Sequence, residues 1–346
     1  GALPERQTPM TSRSTFLFWV LAGSGVLGLL VGISVGSAGW TPLSELLIDP
    51  IALQIVWDIR LPRSLGAWLA GALLGLAGAV AQGLFRNPLA DPYLLGSASG
   101  ASLGLVLALC LATFMPPLDI SSLWVGVFKA MGLTGAAFLG ALAAVLLTLV
   151  LARGVQQTLR LLLAGVVVGV VLGACSSLIM LMVPSVQQTL QAFMLGSTSF
   201  VDWLGCGLML AVWLPLVVIS VLFSRVLDGL TLGEATALSL GLPLAPMRIF
   251  LIAVIALSTA TAVAQTGLVA FVGLAAPHAV RAITPVLHGR LIWLASMMGG
   301  VLLLWADLLA RWLIAPLELP VGVVTAVLGG CYLLHLMQRQ AKVNAS

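Results

Sequence analysis

The residues of this chain whose types could do chemistry are few, and their spacing does not assemble a reactive site. His278, His288 and His335 could ligate haem or a metal ion, but they lack the mutual spacing of a chelating site. No serine is accompanied by the acid and base that a hydrolytic site needs. We therefore expect the histidines to make ordinary hydrogen bonds, and the chain to bind no metal or other cofactor of its own.

The sequence cannot form an ATP-binding loop either. The two lysines, Lys129 and Lys342, are followed by Ala130 and Val343, so no Gly-x-x-x-x-Gly-Lys-Ser/Thr loop can be written. The four cysteines lie in apolar runs without metal-ligand spacing and are expected to pack as small hydrophobic residues. The chain is therefore expected not to be an enzyme, and energy for any transport must come from a partner or from an ion gradient.

The elements that carry these residues are predicted to lie in a membrane. Hydrophobic residues make up 61% of the 346 positions, charged residues 8%, and the mean hydropathy is +1.17. Since a soluble domain needs roughly a quarter of its residues charged, this chain cannot maintain a water-facing surface. Apolar stretches of about 20 residues recur along its length, each long enough to cross a hydrocarbon core as a helix. We predict an all-α polytopic membrane protein.

Apolar runs between charged or Pro/Gly-rich breaks indicate about ten spans within one domain over residues 16–337. Residues 1–15 and 338–346 are predicted to be tails, and Met10 is typical of a native start, which makes residues 1–9 a cloning remnant. The spans are placed near 16–36, 64–83, 96–115, 129–152, 159–182, 203–223, 248–266, 268–283, 291–313 and 321–337, the eighth being short.

Basic residues predict the orientation of the spans. With the N-terminus inside, only Arg60, Arg63, Lys129 and Arg311 of the 15 basic residues fall outside, which leaves 15 − 4 = 11 on the cytoplasmic side. Both termini are therefore predicted to be cytoplasmic. The sequence Ala-Val-Ala-Gln occurs near the inner end of the second span and near the outer end of the seventh, which is weak support for two inverted five-helix repeats.

The longest inner loop, about residues 224–247, is predicted to hold a short helix. Its Ala-rich centre favours a helix from Gly233 to Leu240, ended by Gly241 and Pro243. Exposed Ala, Leu and Gly surface would suit docking against a soluble partner. An interfacial helix lying on lipid is the alternative.

Several loop motifs follow one another in a family-like order and spacing. They are the segments 60–63, 82–92, 160–165, the 232–243 loop, 271–278, 306–311 and 318–325. With these motifs the chain resembles, over about residues 55–337, the FecCD-type permease subunits of ABC importers for iron chelates, haem or cobalamin, a type II importer family.

The resemblance implies a machine with several partners. A second copy of the permease would complete a central pathway in a homodimer, which moves haem or another iron chelate across the bacterial inner membrane by alternating access. Two cytoplasmic ATPase subunits, which bind ATP and Mg, would supply the energy, and a periplasmic or surface-tethered binding protein would deliver the ligand. The lipid bilayer is the remaining partner, and no nucleic acid is expected.

The resemblance also assigns roles to residues. It makes the loop helix the element that couples to the ATPase, with the cytoplasmic gate formed by the loop after the second span and the start of the fifth, and the fifth span lining the pathway. Asn87-Pro88 could instead cap a helix and turn the chain. The coupling residues are Gly233, Glu234, Ala235, Ala237, Leu240 and Gly241; the gate residues are Asn87, Leu89, Thr158 and Leu159; the lining residues are Ser176 and Met180.

Three arginines match outer positions at which the family contacts acidic residues of its binding protein: Arg60, Arg63 and Arg311. Exposed guanidinium groups offer forked donors to carboxylates, which supports this role. The alternatives are anchoring to lipid headgroups and local pairing, such as Asp307 with Arg311 four residues later.

Two other functions remain as alternatives. A cobalamin importer permease would carry the same motifs. A gradient-driven secondary transporter belongs to a different class and usually needs a carboxylate near the middle of a span. Asp202, Asp228, Asp307 and Glu318 fall near predicted span ends, so the sequence favours the ABC importer.

Overall fold

The structure is a computed structural model that describes residues 10–36, 39–42, 48–114 and 122–345. Within these ranges the side chains of residues 10–12, 39, 122–131, 336–337 and 339–345 are not described. The predicted remnant over residues 1–9 lies outside the described residues.

The described residues form an all-α bundle with one short antiparallel pairing of β1 (Val35–Gly36) with β2 (Gly39–Trp40). Single-turn 3-10 segments lie at Pro92–Leu95 and Pro184–Val186, and a π-helical turn lies at Val56–Arg60. In chain order the helices are α1 Met10–Ser34, α2 Pro50–Ile55, α3 Leu61–Leu84, α4 Ser97–Phe114, α5 Ser122–Leu151, α6 Thr158–Met182, α7 Gln187–Leu195, α8 Trp203–Leu222, α9 Ser224–Thr231, α10 Glu234–Ser239, α11 Leu244–Thr266, α12 Val272–Ile283, α13 His288–Trp312 and α14 Val321–Ala345.

The membrane character predicted from composition is confirmed. Among the described residues, eight helical segments are long and apolar enough to cross a membrane, and Val321–His335 is a shorter apolar stretch. The predicted eighth span differs, because α12 has 12 residues. At 1.5 Å per residue it covers about 18 Å, short of the roughly 30 Å of a hydrocarbon core.

Helices extend into both predicted tails. Met10 is already part of α1, and α14 continues to Ala345, so most of the region predicted as a C-terminal tail is helical. The second span has a helical extension over residues 50–60 that the prediction left as loop.

Helix α3 forms the centre of the bundle, and its small residues let neighbouring helices approach at backbone distance. A Cβ atom built on Gly71 or Gly75 would overlap a carbonyl oxygen of α13, at Gly299 and Ala295 respectively. One built on Gly78 would overlap the carbonyl oxygen of Gly273 in α12. Such contacts are how helices gain van der Waals attraction in lipid.

Burial divides the spans into interior and peripheral helices. In the apolar stretch of the segment that contains α3, 89% of the residues are buried, and the share is 83% for α13. For α6 the share is 17%, although its 25 residues are among the most hydrophobic in the chain. A long apolar helix that its own chain leaves uncovered must be covered by lipid or by another protein.

Candidate functional site

The predicted outer end of the bundle holds a cluster of four charged side chains, Arg63, Asp307, Arg311 and Glu318, here called the outer cluster. Arg63 Nη1 donates to both carboxylate oxygens of Glu318, at 3.0 and 2.9 Å, and its Nη2 lies 3.3 Å from Asp307 Oδ1. Arg311 pairs with Asp307 across one helical turn. The cluster joins α3, α13 and the loop that follows α13.

Neutral side chains complete the outer cluster. Arg63 Nε donates to Thr198 Oγ1 at 3.3 Å, and the same hydroxyl donates to Asp307. Arg311 Nη2 donates to Ser64 Oγ at 3.2 Å. Asp307 is 0% exposed and Arg311 is 1% exposed, so their charges are paired with each other inside the protein rather than hydrated by water, and Arg311 Nε has no hydrogen-bond partner among the described residues.

The three arginines predicted to dock a binding protein are not exposed as the sequence analysis expected. Arg63 and Arg311 are buried and occupied by carboxylates of their own chain, and the local pair Asp307–Arg311 is the alternative that the structure contains. Arg60 is half-buried and donates to the Ile33 carbonyl oxygen at 2.9 Å and to Thr41 Oγ1 at 3.3 Å. Docking through these residues would therefore require an exchange of partners.

The predicted gate residues lie at the surface at the opposite end of α3 and at the start of α6. Asn87 is exposed, and its side chain accepts a hydrogen bond from the Leu89 N–H at 2.9 Å, which is the turn that the alternative interpretation proposed. Leu89 and Leu159 are 55% and 71% exposed, and Thr158 is half-buried. The hydrogen bonds described for this chain do not join the two halves of the gate.

The loop after α3 is anchored where it returns to the bundle. Asp91 accepts from the Tyr93 N–H at 2.8 Å, and Tyr93 Oη donates to the Val269 carbonyl oxygen at 3.2 Å. Burial raises the pKa of the Asp91 carboxyl, and the hydrogen bond from Tyr93 N–H acts in the opposite direction. The loop therefore has one fixed end beside its exposed turn.

Both predicted pathway residues point into their own chain rather than to the uncovered face of α6. Ser176 is 4% exposed and donates to the Leu172 carbonyl oxygen at 3.0 Å. Met180 is half-buried in a hydrophobic cluster that includes Leu190. The lining of a pathway by these two side chains stays a prediction, and the neighbouring exposed polar residue is Ser177.

The predicted coupling loop, about residues 224–247, contains two helices, α9 and α10, where the sequence predicted one. Gly233 and Gly241, with φ of 105° and 76°, bound α10, in agreement with the predicted helix. Ala237 is fully buried and fixes α10 against α9, whereas Ala235 and Leu240 are exposed. The loop thus has an exposed apolar surface on α10, and the opposite side of α10 is packed against α9.

Two side-chain contacts tie this loop to neighbouring helices, and the sequence analysis did not predict either. Asp228 of α9 accepts from the His288 backbone N–H at 3.0 Å, and its Oδ1 lies 2.7 Å from His288 Nδ1, where α13 begins. Glu234 of α10 lies 3.1 Å from Arg248 in the first turns of α11. For Glu234 and Arg248, opposite charges close in sequence were the available signal.

Two of the three histidines make the ordinary hydrogen bonds that were predicted: His288 contacts Asp228, and His278 Nδ1 lies 2.8 Å from Tyr332 Oη. Within the part of the chain that the structure describes, no group of three His, Cys, Asp or Glu side chains could hold a metal ion.

Comparison with known proteins gives a consistent result. The sequence model of the FecCD transport family matches residues 21–339. YvrB of Bacillus subtilis, an uncharacterized ABC transporter permease protein, is 37% identical over 298 residues, which are 86% of this chain and 82% of that protein. The vitamin B12 import system permease protein BtuC of Shigella boydii is 38% identical over 322 residues, which are 92% of this chain and 94% of BtuC.

A solved structure shares the fold over nearly the whole chain. It is described as an inward-facing conformation of a metal-chelate type ABC transporter, and its TM-score is 0.82 at 27% sequence identity. The superposition covers 94% of this chain and 99% of the other.

Proposed function

This chain belongs to the FecCD transport family and is a multi-pass permease subunit of an ABC importer, and from that premise we propose that its cargo is a bulky metal chelate. Haem or another iron chelate is the first candidate. Cobalamin is the second, because relatives that are 37–38% identical to this chain are named vitamin B12 import permeases.

The observation that carries the proposal is the uncovered state of α6. Its exposed apolar positions recur along the whole helix, from Leu159 through Val166 and Val170 to Leu181. Exposed Cys175 and the exposed hydroxyl of Ser177 interrupt this surface. A mostly apolar wall with few polar groups suits a large ligand that must pass without being tightly held.

The proposed assembly contains two copies of this chain, with the α6 helices facing each other across a central pathway. Two ATPase subunits bind ATP and Mg at the cytoplasmic face, and a periplasmic or surface-tethered binding protein delivers the chelate at the outer face of the bacterial inner membrane. Both termini lie in the cytoplasm.

In this scheme α10 is seated on the ATPase. Its exposed Ala235, Leu238 and Leu240 offer apolar contacts to the ATPase. Buried Ala237 packs α10 against α9, so that the two helices move together. Closure of the ATPase pair moves this packed element, and the gate residues Asn87, Leu89, Thr158 and Leu159 separate or approach. The cargo site changes exposure from one side of the membrane to the other.

The test is reconstitution of the chain with its cognate ATPase and binding protein in proteoliposomes, followed by uptake of haem, a ferric siderophore and cobalamin in parallel. ATP-dependent uptake of one of these chelates supports the proposal and identifies the cargo. Uptake that follows a proton or sodium gradient and ignores ATP would contradict it. ATP-dependent uptake of a small, unchelated solute alone would contradict the cargo class.

A further inference from the structure

Arg248 joins the coupling loop to the segment from which the pathway helix starts. Its guanidinium group is buried at the beginning of α11, and Nη1 lies 3.1 Å from Glu234 Oε1 of α10. The same nitrogen donates to the Gln156 carbonyl oxygen at 3.0 Å and lies 3.5 Å from that of Val155. One nitrogen atom thus contacts two elements that are otherwise separate in sequence.

The segment that receives this nitrogen is held by the Arg248 contacts and by the Val155 side chain, which is 6% exposed and packs in the main hydrophobic cluster. The connection from α5 to α6 turns through Arg153 and Gly154, both with positive φ, and Gln157 makes no side-chain capping bond to α6. Thr158, a predicted gate residue, follows immediately as the first residue of α6. The Arg248 contacts therefore hold the backbone two to three residues before the start of the pathway helix.

The contacts of the Arg248 guanidinium depend on the position of α10, because Glu234 of α10 supplies the counter-charge. A buried guanidinium needs a counter-charge and filled donors, and Arg248 Nε has no hydrogen-bond partner among the described residues. Glu234 supplies the carboxylate in this contact, and its side chain is 45% exposed because α10 lies at the surface. Movement of α10 must therefore either draw the guanidinium with it or leave a buried charge unpaired.

We propose that Arg248 is a positioning residue that transmits displacement of α10 to the first turn of α6, so that the coupling loop and the gate move together. The inference rests on the proposed function of α10 and of the gate. The terminal guanidinium nitrogen carries two N–H donors, so it can serve the Glu234 carboxylate and the Gln156 carbonyl oxygen at once.

The test uses the full importer, reconstituted with its ATPase and binding protein, and compares Arg248→Gln, Arg248→Lys, Glu234→Gln and the Arg248→Gln/Glu234→Gln double variant. The readout is the amount of cargo moved per ATP hydrolysed. We expect this ratio to fall several-fold in Arg248→Gln and in Glu234→Gln, with the double variant no worse than Arg248→Gln. Arg248→Lys should recover part of the ratio. Arg13→Gln, an exposed arginine at the same predicted side of the membrane, serves as the matched control.

A spin label at Leu159→Cys gives a second readout that a purely structural role would not change. ATP trapping should shift the label's spectrum in the otherwise native importer and not in Arg248→Gln, provided both retain the same thermal transition. The proposed role of Arg248 would be overturned by an unchanged ratio, by additive losses in the double variant, or by a label that still responds in Arg248→Gln. Failure of the native importer to couple ATP hydrolysis to uptake would instead overturn the proposed function, and the role of Arg248 with it.

Discussion

Arg63 and Glu318 are joined by two hydrogen bonds from one nitrogen atom, although 255 residues separate them in sequence. Glu318 is the more accessible member of the outer cluster, with its side chain 24% exposed, against 0% for Asp307. A carboxylate from outside the chain could therefore take the place of Glu318 beside Arg63. It could not take the place of Asp307, which is fully buried. If Arg63 docks an acidic side chain of the binding protein, as the family resemblance implies, Glu318 occupies the place of that side chain in this structure.

The first prediction is that Glu318→Gln strengthens docking of the binding protein. Removal of the internal competitor leaves Arg63 available, and the dissociation constant should fall about tenfold, as expected for one charge pair at an interface rim. Surface plasmon resonance on the permease in nanodiscs measures this. Asp58→Asn is the matched control, since Asp58 is an exposed carboxylate that precedes the same helix. A weaker or unchanged affinity in Glu318→Gln would exclude competition.

The second prediction concerns Asp307, which is the buried counter-charge of both Arg63 and Arg311. Asp307→Asn leaves Arg63 with Glu318 and Arg311 without its carboxylate partner, and loss of one partner of a buried pair typically costs about 3–5 kcal/mol. The thermal transition of the purified permease should fall clearly below that of Asp58→Asn. Equal transitions would mean that water or lipid headgroups replace the lost carboxylate.

The third prediction tests the contact between α3 and α13. Gly71→Ala places a methyl group on the Gly299 carbonyl oxygen and should destabilise the bundle by about 1–3 kcal/mol, the usual cost of overpacking. Gly207→Ala is the matched control, because nothing lies within 4 Å of its added Cβ. Thermal unfolding in one detergent compares the two, and a stable Gly71→Ala protein would show that these helices can separate without loss.

The fourth prediction uses the one-residue difference between Ser176 and Ser177. With the native cysteines replaced by alanine, Ser177→Cys should react with a charged, membrane-impermeant thiol reagent in the assembled importer, because its side chain faces the proposed aqueous pathway. Ser176→Cys should stay protected by its own chain. Labelling is quantified by mass spectrometry. Protection of both cysteines would place this face of α6 against lipid.

Local elements were predictable because local sequence determines them. The predicted helix over Gly233–Leu240 differs from α10 by one residue at each end, since flanking glycines set its limits. The long spans follow from apolar length alone. The short α12 could not be distinguished from a full span, because the apolar run continues through the irregular residues 267–271 before it.

Partners far apart in sequence could not be predicted. Arg63 and Arg311 carry the family motif, but only the fold brings Glu318 and Thr198 against Arg63 and buries both arginines, which were expected to be exposed donors. Ser176 was assigned to the pathway by the family resemblance, and nothing in an apolar helix marks which face its own chain covers. A shift of one residue rotates a side chain by about 100° on a helix, so buried Ser176 and exposed Ser177 lie on different faces of α6.

The glycine contacts of α3 have a mechanical consequence. Where backbone meets backbone at Gly71, Gly75 and Gly78, there are no flexible side chains to absorb sliding, so α3, α12 and α13 must travel as a single stiff body. Deformation during a transport cycle is left to the loosely covered α6 and its short connections. The permease is thus divided into a part that keeps its shape and a part that changes it, and substitutions in the first should alter stability more than turnover, whereas those in the second should do the reverse.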